Sequence, residues 1–238
     1  MKWTEESIRL MEIAAGRAGY YDALADRICA SLPAGSRVCD AGCGLGLLSL
    51  ALAARGMRVT AVDTSSAALA VLRRLRGDAD IEIRCGRVQD CAPDAPYDAM
   101  IFCLFGGISE ILDVAAAQCR GDVFIIARND GAHRFSVRRH ALRYPGYQAM
   151  RQTLSGLHIP HEGLELALEI GQPLADLDDA RRFLDLYNCD DASLITDEYL
   201  HSRLVKTDDP EYPLYLPHAR QLGVIHFSAA DIPQIPEP

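Results

Sequence analysis

No apolar run in the 238 residues reaches the roughly 18 to 20 that a bilayer-spanning helix requires. The opening residues, MKWTEESIRL, carry acidic groups where a secretory leader would be basic and then apolar. The expectation is a soluble, cytoplasmic protein without a membrane partner. None of the eight cysteines is spaced C-x-x-C, and several stand inside apolar stretches such as VCDAGC and MIFCLFGG. No metal site is therefore expected, and most of the thiols should be small buried hydrophobes. Positive charge is in deficit: 24 Lys and Arg stand against 33 Asp and Glu, a net charge of −9. That balance counts against nucleic acid, because a phosphate-binding surface needs clustered cations. One basic stretch, HRFSVRRHALR, is a local exception. No repeat, low-complexity tract or linker divides the chain, so one domain over 1–238 is expected, as a monomer or homodimer.

What is present is an alternation. From Ser36 to Arg128, short β-branched runs (RVCDA, RVTAVD, IEIRC, YDAMIFCLF, DVFIIARN) alternate with helical segments beginning near Gly46, Ser65 and Ile108. This is the pattern of an α/β protein with a parallel sheet and helices on both faces. Residues 1–32 read as two helices, the second with Leu24, Ile28 and Leu32 at helical spacing. LELALEIGQ and LGVIHFSA read as a sixth and seventh strand. Between them, residues 173–220 read as a helical insertion that could lid a pocket. One helix there places Leu177, Ala180, Phe183, Leu184 and Tyr187 on one face, and a second starts at Thr196 with Lys206 near its end.

Three glycines crowd the turn after the first strand, CDAGCGLG, where the backbone needs unusual angles and a ligand can touch the main chain. A dinucleotide fingerprint would place its third glycine at position 47, which is Leu47, so a nicotinamide oxidoreductase is disfavoured. The order here is acidic-x-G-x-G-x-G, formed by Asp40, Gly42, Gly44 and Gly46, with Cys43 between the first two glycines. About 20 residues on, Asp63 ends the second strand, where two carboxylate oxygens can take both hydroxyls of a ribose, and Thr64 follows it.

These motifs resemble those of the class I (Rossmann-like) S-adenosylmethionine-dependent methyltransferases over roughly residues 15–130. The resemblance implies a seven-stranded sheet of order 3-2-1-4-5-7-6, with residues 36–130 as the cofactor-binding core. It also implies S-adenosylmethionine as cofactor, with S-adenosylhomocysteine as product. The glycine turn would pass under the methionine and ribose, Asp40 would help hold the amino end, and Asp63 would hold the ribose. Members often carry Gly-Asp after the third strand for the adenine amino group, whereas this chain reads CGRVQD with Arg87 in the acidic slot. Val88 and Gln89, or Asp90, are then the adenine contacts. Phe102, Cys103 and Leu104, with Phe105, close the fourth strand where the transferred methyl would lie, and an aromatic face there suits a sulfonium. Tyr20 and Tyr21 stand ready to close over the cofactor.

Methyl transfer from a sulfonium is an in-line displacement governed by geometry, and a base is needed only when the acceptor loses a proton. The candidates follow the fifth strand: His133, His140 and Tyr144 for catalysis, with Asn129, Arg134, Arg138, Arg139 and Tyr147 for acceptor contacts. The acceptor is expected to be a small molecule. The alternatives are a protein or nucleic-acid methyltransferase, or a cofactor-binding regulator without transfer, the latter suggested by Arg87.

Overall fold

The β-branched runs between Ser36 and Arg128 join one sheet because both faces of that sheet can be buried by helices. The computed structural model describes residues 3–130, 135–137, 146–188 and 191–233. In it, α1 (Glu5–Ala18) and α2 (Tyr20–Cys29) precede β1 (Arg37–Ala41), α3 (Leu47–Ala53), β2 (Arg58–Asp63), α4 (Ser66–Leu75), β3 (Ile81–Cys85), β4 (Tyr97–Cys103), α5 (Ile108–Gln118) and β5 (Cys119–Arg128). Then come α6 (Tyr147–Gly156), β6 (Glu162–Glu169), β7 (Gln172–Leu174), α7 (Leu177–Asp185), α8 (Asp197–Arg203), β8 (Val205–Lys206), β9 (Leu214–Leu216) and β10 (Ala219–Ser228).

The seven-stranded sheet has the order β3-β2-β1-β4-β5-β10-β6. Its first five strands are parallel, and β10 runs antiparallel between β5 and β6. With β10 as the seventh strand of the main sheet, this is the expected 3-2-1-4-5-7-6. Alternate side chains supply the two cores: Phe124 and Ile126 join α1 to α4 on one face, while Val123 and Ile125 join α5 and α6 on the other. Leu24, Ile28 and Leu32 are buried as their spacing predicts. Ser65 caps α4 by accepting from the Ala68 N–H at 3.2 Å.

Two expectations need correction. The insertion is not purely helical, since β7, β9 and β8 form a separate antiparallel sheet in that order. Strands of two or three residues carry no readable period. Lys206 lies in β8, and the basic residues in the last turn of α8 are His201 and Arg203. The insertion has its own apolar core of Phe183, Leu184, Ile195, Leu200 and Leu216, joined by Leu10 of α1 and by Phe135. Buried Asn188 ties the end of α7 to residues 135–137, donating to the Phe135 and Leu184 carbonyls at 2.9 and 2.8 Å and accepting from the Val137 N–H at 2.7 Å.

Candidate functional site

A cavity of about 880 Å³ opens over the carboxyl ends of β1, β2 and β4, the end of an open α/β sheet at which ligands bind. Tyr20, Tyr21, Asp40, Gly42, Cys43, Gly44, Asp63, Thr64, Val88, Gln89, Cys103 and Leu104 all line it. Their convergence follows from the fold: three successive strands end side by side, and each ends in a chemically equipped turn.

The glycine turn is held by the neighbouring strand, with the N–H groups of Gly42 and Cys43 both donating to the Val62 carbonyl at 2.8 and 3.0 Å. Gly42, Gly44 and Gly46 have φ of 72°, 56° and 70°, angles that favour glycine. Their surroundings differ. A Cβ at Gly42 would lie 2.3 Å from Phe105 Cδ2, and one at Gly44 would lie 2.9 Å from Trp3 Cζ2, so aromatic rings pack directly on the bare main chain at the cavity. A Cβ at Gly46 would instead meet Leu72 of α4 at 2.5 Å. Gly46 does not line the cavity; it is a packing glycine at the start of α3.

The two carboxylates sit in different settings. Asp40 is 1% exposed and accepts from the Ser49 hydroxyl at 2.6 Å. Burial pushes its carboxyl up to about 6; the Ser49 bond opposes that shift and the nearby Asp63 charge adds to it. Asp63 is half-buried, its Oδ2 accepting from the Gly44 N–H and its Oδ1 from the Ser65 N–H, each at 2.8 Å. Asp63 therefore braces the glycine turn against the start of α4. Each oxygen retains acceptor capacity for a further donor, such as a ribose hydroxyl.

At the third strand, Gly86, Arg87, Val88 and Gln89 border the cavity, whereas Asp90 does not. Gln89 Nε2 donates to Glu110 Oε1 at 2.5 Å, and Glu110, a cavity residue that pattern reading passed over, enters from the first turn of α5. At the fourth strand the assignment of Phe102 fails. It is fully buried in the core against α5 and α6, and Phe105, two residues beyond the strand end, reaches the cavity in its place. Leu104 has φ of 55° and is 44% exposed, the turn that re-aims the chain here. Cys103 is held protonated at about 12 by burial, with the Asp40 charge adding to the shift.

Trp3, Met11, Tyr20, Tyr21, Arg128, Tyr187 and Arg220 complete the lining. Tyr20 and Tyr21 pack edge to face at 4.9 Å, and Arg220 Nη1 donates to the Tyr20 hydroxyl at 3.1 Å. Of the insertion tyrosines, Tyr187 alone borders the cavity. Tyr215 instead donates to Glu169, Arg203 donates to Tyr199, and Arg17 stacks on Tyr212. Tyr147 is buried on the opposite face of the sheet. The base candidates His133, His140 and Tyr144, with Arg134, Arg138 and Arg139, lie outside the described residues.

Seven cysteines of the described residues are free; Cys39 and Cys119 are buried, four are half-buried and Cys85 is exposed, so fewer are core residues than their apolar neighbours suggested. Among the described residues no helix is long and apolar enough to cross a membrane. The donor set fits S-adenosylmethionine: a buried carboxyl for an ammonium, a second carboxylate one strand over for sugar hydroxyls, and aromatic rings near the end of β4 for a sulfonium.

Residues 38–123 match the family model described as a methyltransferase domain. The chain is 43% identical over 117 residues to the ubiquinone biosynthesis O-methyltransferase of Pseudomonas savastanoi pv. phaseolicola, covering 44% of this chain and 50% of that protein. It is 42% identical over 66 residues to a cypemycin N-terminal methyltransferase from a Streptomyces species, covering 28% and 27%. The chain thus spans half or less of the length of these curated relatives. Its fold is similar to that of a putative methyltransferase from Bacillus halodurans C-125, with TM-score 0.57, 13% identity and coverage of 87% and 98%. It is similarly close to the YcgJ protein of Bacillus subtilis, with TM-score 0.56, 14% identity and coverage of 87% and 97%. Residues 38–123 thus resemble a methyltransferase domain, and the strand order of the chain is similar to that of the class I S-adenosylmethionine-dependent methyltransferases.

Proposed function

We propose that the protein transfers a methyl group from S-adenosylmethionine to a small-molecule acceptor. The observation that carries this is the meeting of Asp40, the glycine turn and Asp63 on one cavity wall, in strand order, with Asp63 fastened to both the turn and α4. Asp40 would take the amino group, Asp63 the ribose, and Val88 with Gln89 the adenine edge. Bound there, the cofactor supplies an electrophilic methyl. The chain's own work is orientation and exclusion of water: Tyr20, Tyr21 and Phe105 wall the end of β4, and the insertion closes the far side through Tyr187.

The Cys103 thiol is held protonated and is no base at neutral pH. For a protic acceptor, the base candidates we propose are His133, His140 and Tyr144, which lie outside the described residues. Two relatives are named for O- and N-terminal methylation, and both kinds of acceptor atom are consistent with such a site. The test is incubation of the protein with methyl-labelled cofactor and a fractionated small-metabolite extract. Label should appear in a low-mass product; label in protein or nucleic acid alone would refute the small-molecule assignment, and binding without any turnover would favour a regulator.

A further inference from the structure

Arg220 is 8% exposed on β10 and lines the cavity. It spends Nη1 on the Tyr20 hydroxyl, with its guanidinium 5.4 Å from the centre of that ring, and its Nε–H is buried without a partner among the described residues. Among the described residues, the ionisable groups that act on it most strongly are Tyr20, Tyr21 and Cys103, none of them a carboxylate. The other deep arginine of the cavity, Arg128, is paired with Asp130 at 2.9 Å. A guanidinium stays charged at any working pH, and burying it unpaired is costly, so an anion is the natural complement. The edge that carries Nε is the one that meets the two oxygens of a carboxylate side by side.

Its place in the sheet indicates which anion. Asp63 ends β2, Asp40 lies in β1, Cys103 ends β4, and Arg220 comes from β10, beyond β5, where Leu222 faces Arg128 and the Asn129 N–H bonds to the Gln221 carbonyl. The cofactor's carboxylate shares a carbon with its ammonium and so stays near β1, whereas Arg220 stands on the far side of the β4 end. We propose that Arg220 recognises the acceptor, and that the acceptor is a small organic anion, a carboxylate or phosphate ester, whose charged end meets Arg220 while its apolar body lies against Leu104, Phe105 and Tyr187. This rests on the methyltransferase reading above.

The test uses the full chain saturated with S-adenosylhomocysteine and titrated, by thermal shift and calorimetry, with benzoate, cinnamate, phenyl phosphate and the neutral benzamide. At least one anion should bind more than tenfold tighter than benzamide, and Arg220→Gln should remove that preference while changing S-adenosylhomocysteine affinity less than threefold. Preference for phenyl phosphate over both acids would identify the phosphate-ester form, and the reverse the carboxylate form. Equal binding of acids and amide by the wild type overturns the proposal. So does an Arg220→Gln variant that loses S-adenosylhomocysteine tenfold but keeps decarboxylated S-adenosylmethionine, since Arg220 would then hold the cofactor's carboxylate. If the glutamine variant does not fold, Arg220→Lys keeps the charge and loses the Nε–H. It should lower the preference at least threefold, and an unchanged preference overturns the proposal. Failure of the wild type to bind S-adenosylhomocysteine at all would instead refute the parent reading.

Discussion

At Asp40 ligand chemistry and fold stability oppose each other. A carboxyl whose folded-state value is raised favours the folded state most at pH below its unfolded value, near 3.9, and loses that contribution as pH rises through about 6. Ionised Asp40 therefore costs the fold about 3 kcal/mol at neutral pH, a cost that an ammonium beside it would offset. Asp40→Asn should melt several degrees above wild type at pH 8, with the gap closing by pH 4, and should bind S-adenosylhomocysteine more than tenfold more weakly. Scanning calorimetry at the two pH values and a binding titration check both halves. Wild-type affinity should also fall as pH drops below about 6, because the neutral acid no longer attracts an ammonium.

Asp63 has a double role, so Asp63→Ala should lose cofactor affinity more than tenfold and also lower the melting temperature modestly, from two orphaned backbone donors. The identity of these two aspartates was legible in the chain because strand ends and glycine turns have local signatures. Phe102 and Phe105 were not separable in that way: three residues apart across a strand end, their directions depend on where β4 stops and on the left-handed turn at Leu104. Arg220 left a faint signal, since it alternates with Leu222 and Val224 along β10, the inward-facing set of that strand.

The central elements form where short-range pattern is strongest, and β1, β2 and β3 have the boundaries read from composition. The outer elements depend on tertiary packing. Helix α6 lies on the sheet through Tyr147, whose ring crosses β10 where position 223 has no side chain: a Cβ at Gly223 would fall 2.0 Å from that ring. Gly223→Ala should therefore destabilise by about 1 to 3 kcal/mol through overpacking, and a second change, Tyr147→Leu, should recover part of the loss in urea melts. Nothing in the LGVIHF run distinguishes a packing glycine from a bulge, so this contact could not be read beforehand. The small sheet of β7, β8 and β9 was illegible for a different reason, since β7 pairs with β9 some 40 positions away and β8 is too short to show a period.

For the molecule as a whole, charge and cavity point the same way. A net charge of −9 surrounds a pocket whose wall holds a buried arginine, so on the proposed reading small anions would be selected at the site while polyanions are repelled at the surface. The protein should show no retention on double-stranded DNA at ~50 mM salt, where electrostatic binding is strongest. The basic stretch around HRFSVRRHALR lies largely outside the described residues, and it holds the base candidates.

On the proposed reading, one wall, made of Asp40, the glycine turn and Asp63, seats an amino acid joined to a nucleoside. Calorimetric titration of the wild type and of Asp63→Ala with S-adenosylhomocysteine, side by side, tests it most directly. One-to-one binding in the micromolar range by the wild type, weakened more than tenfold in the variant while its fold is retained, is the expected result; no heat from the wild type at millimolar ligand, or equal affinity in both proteins, would contradict it.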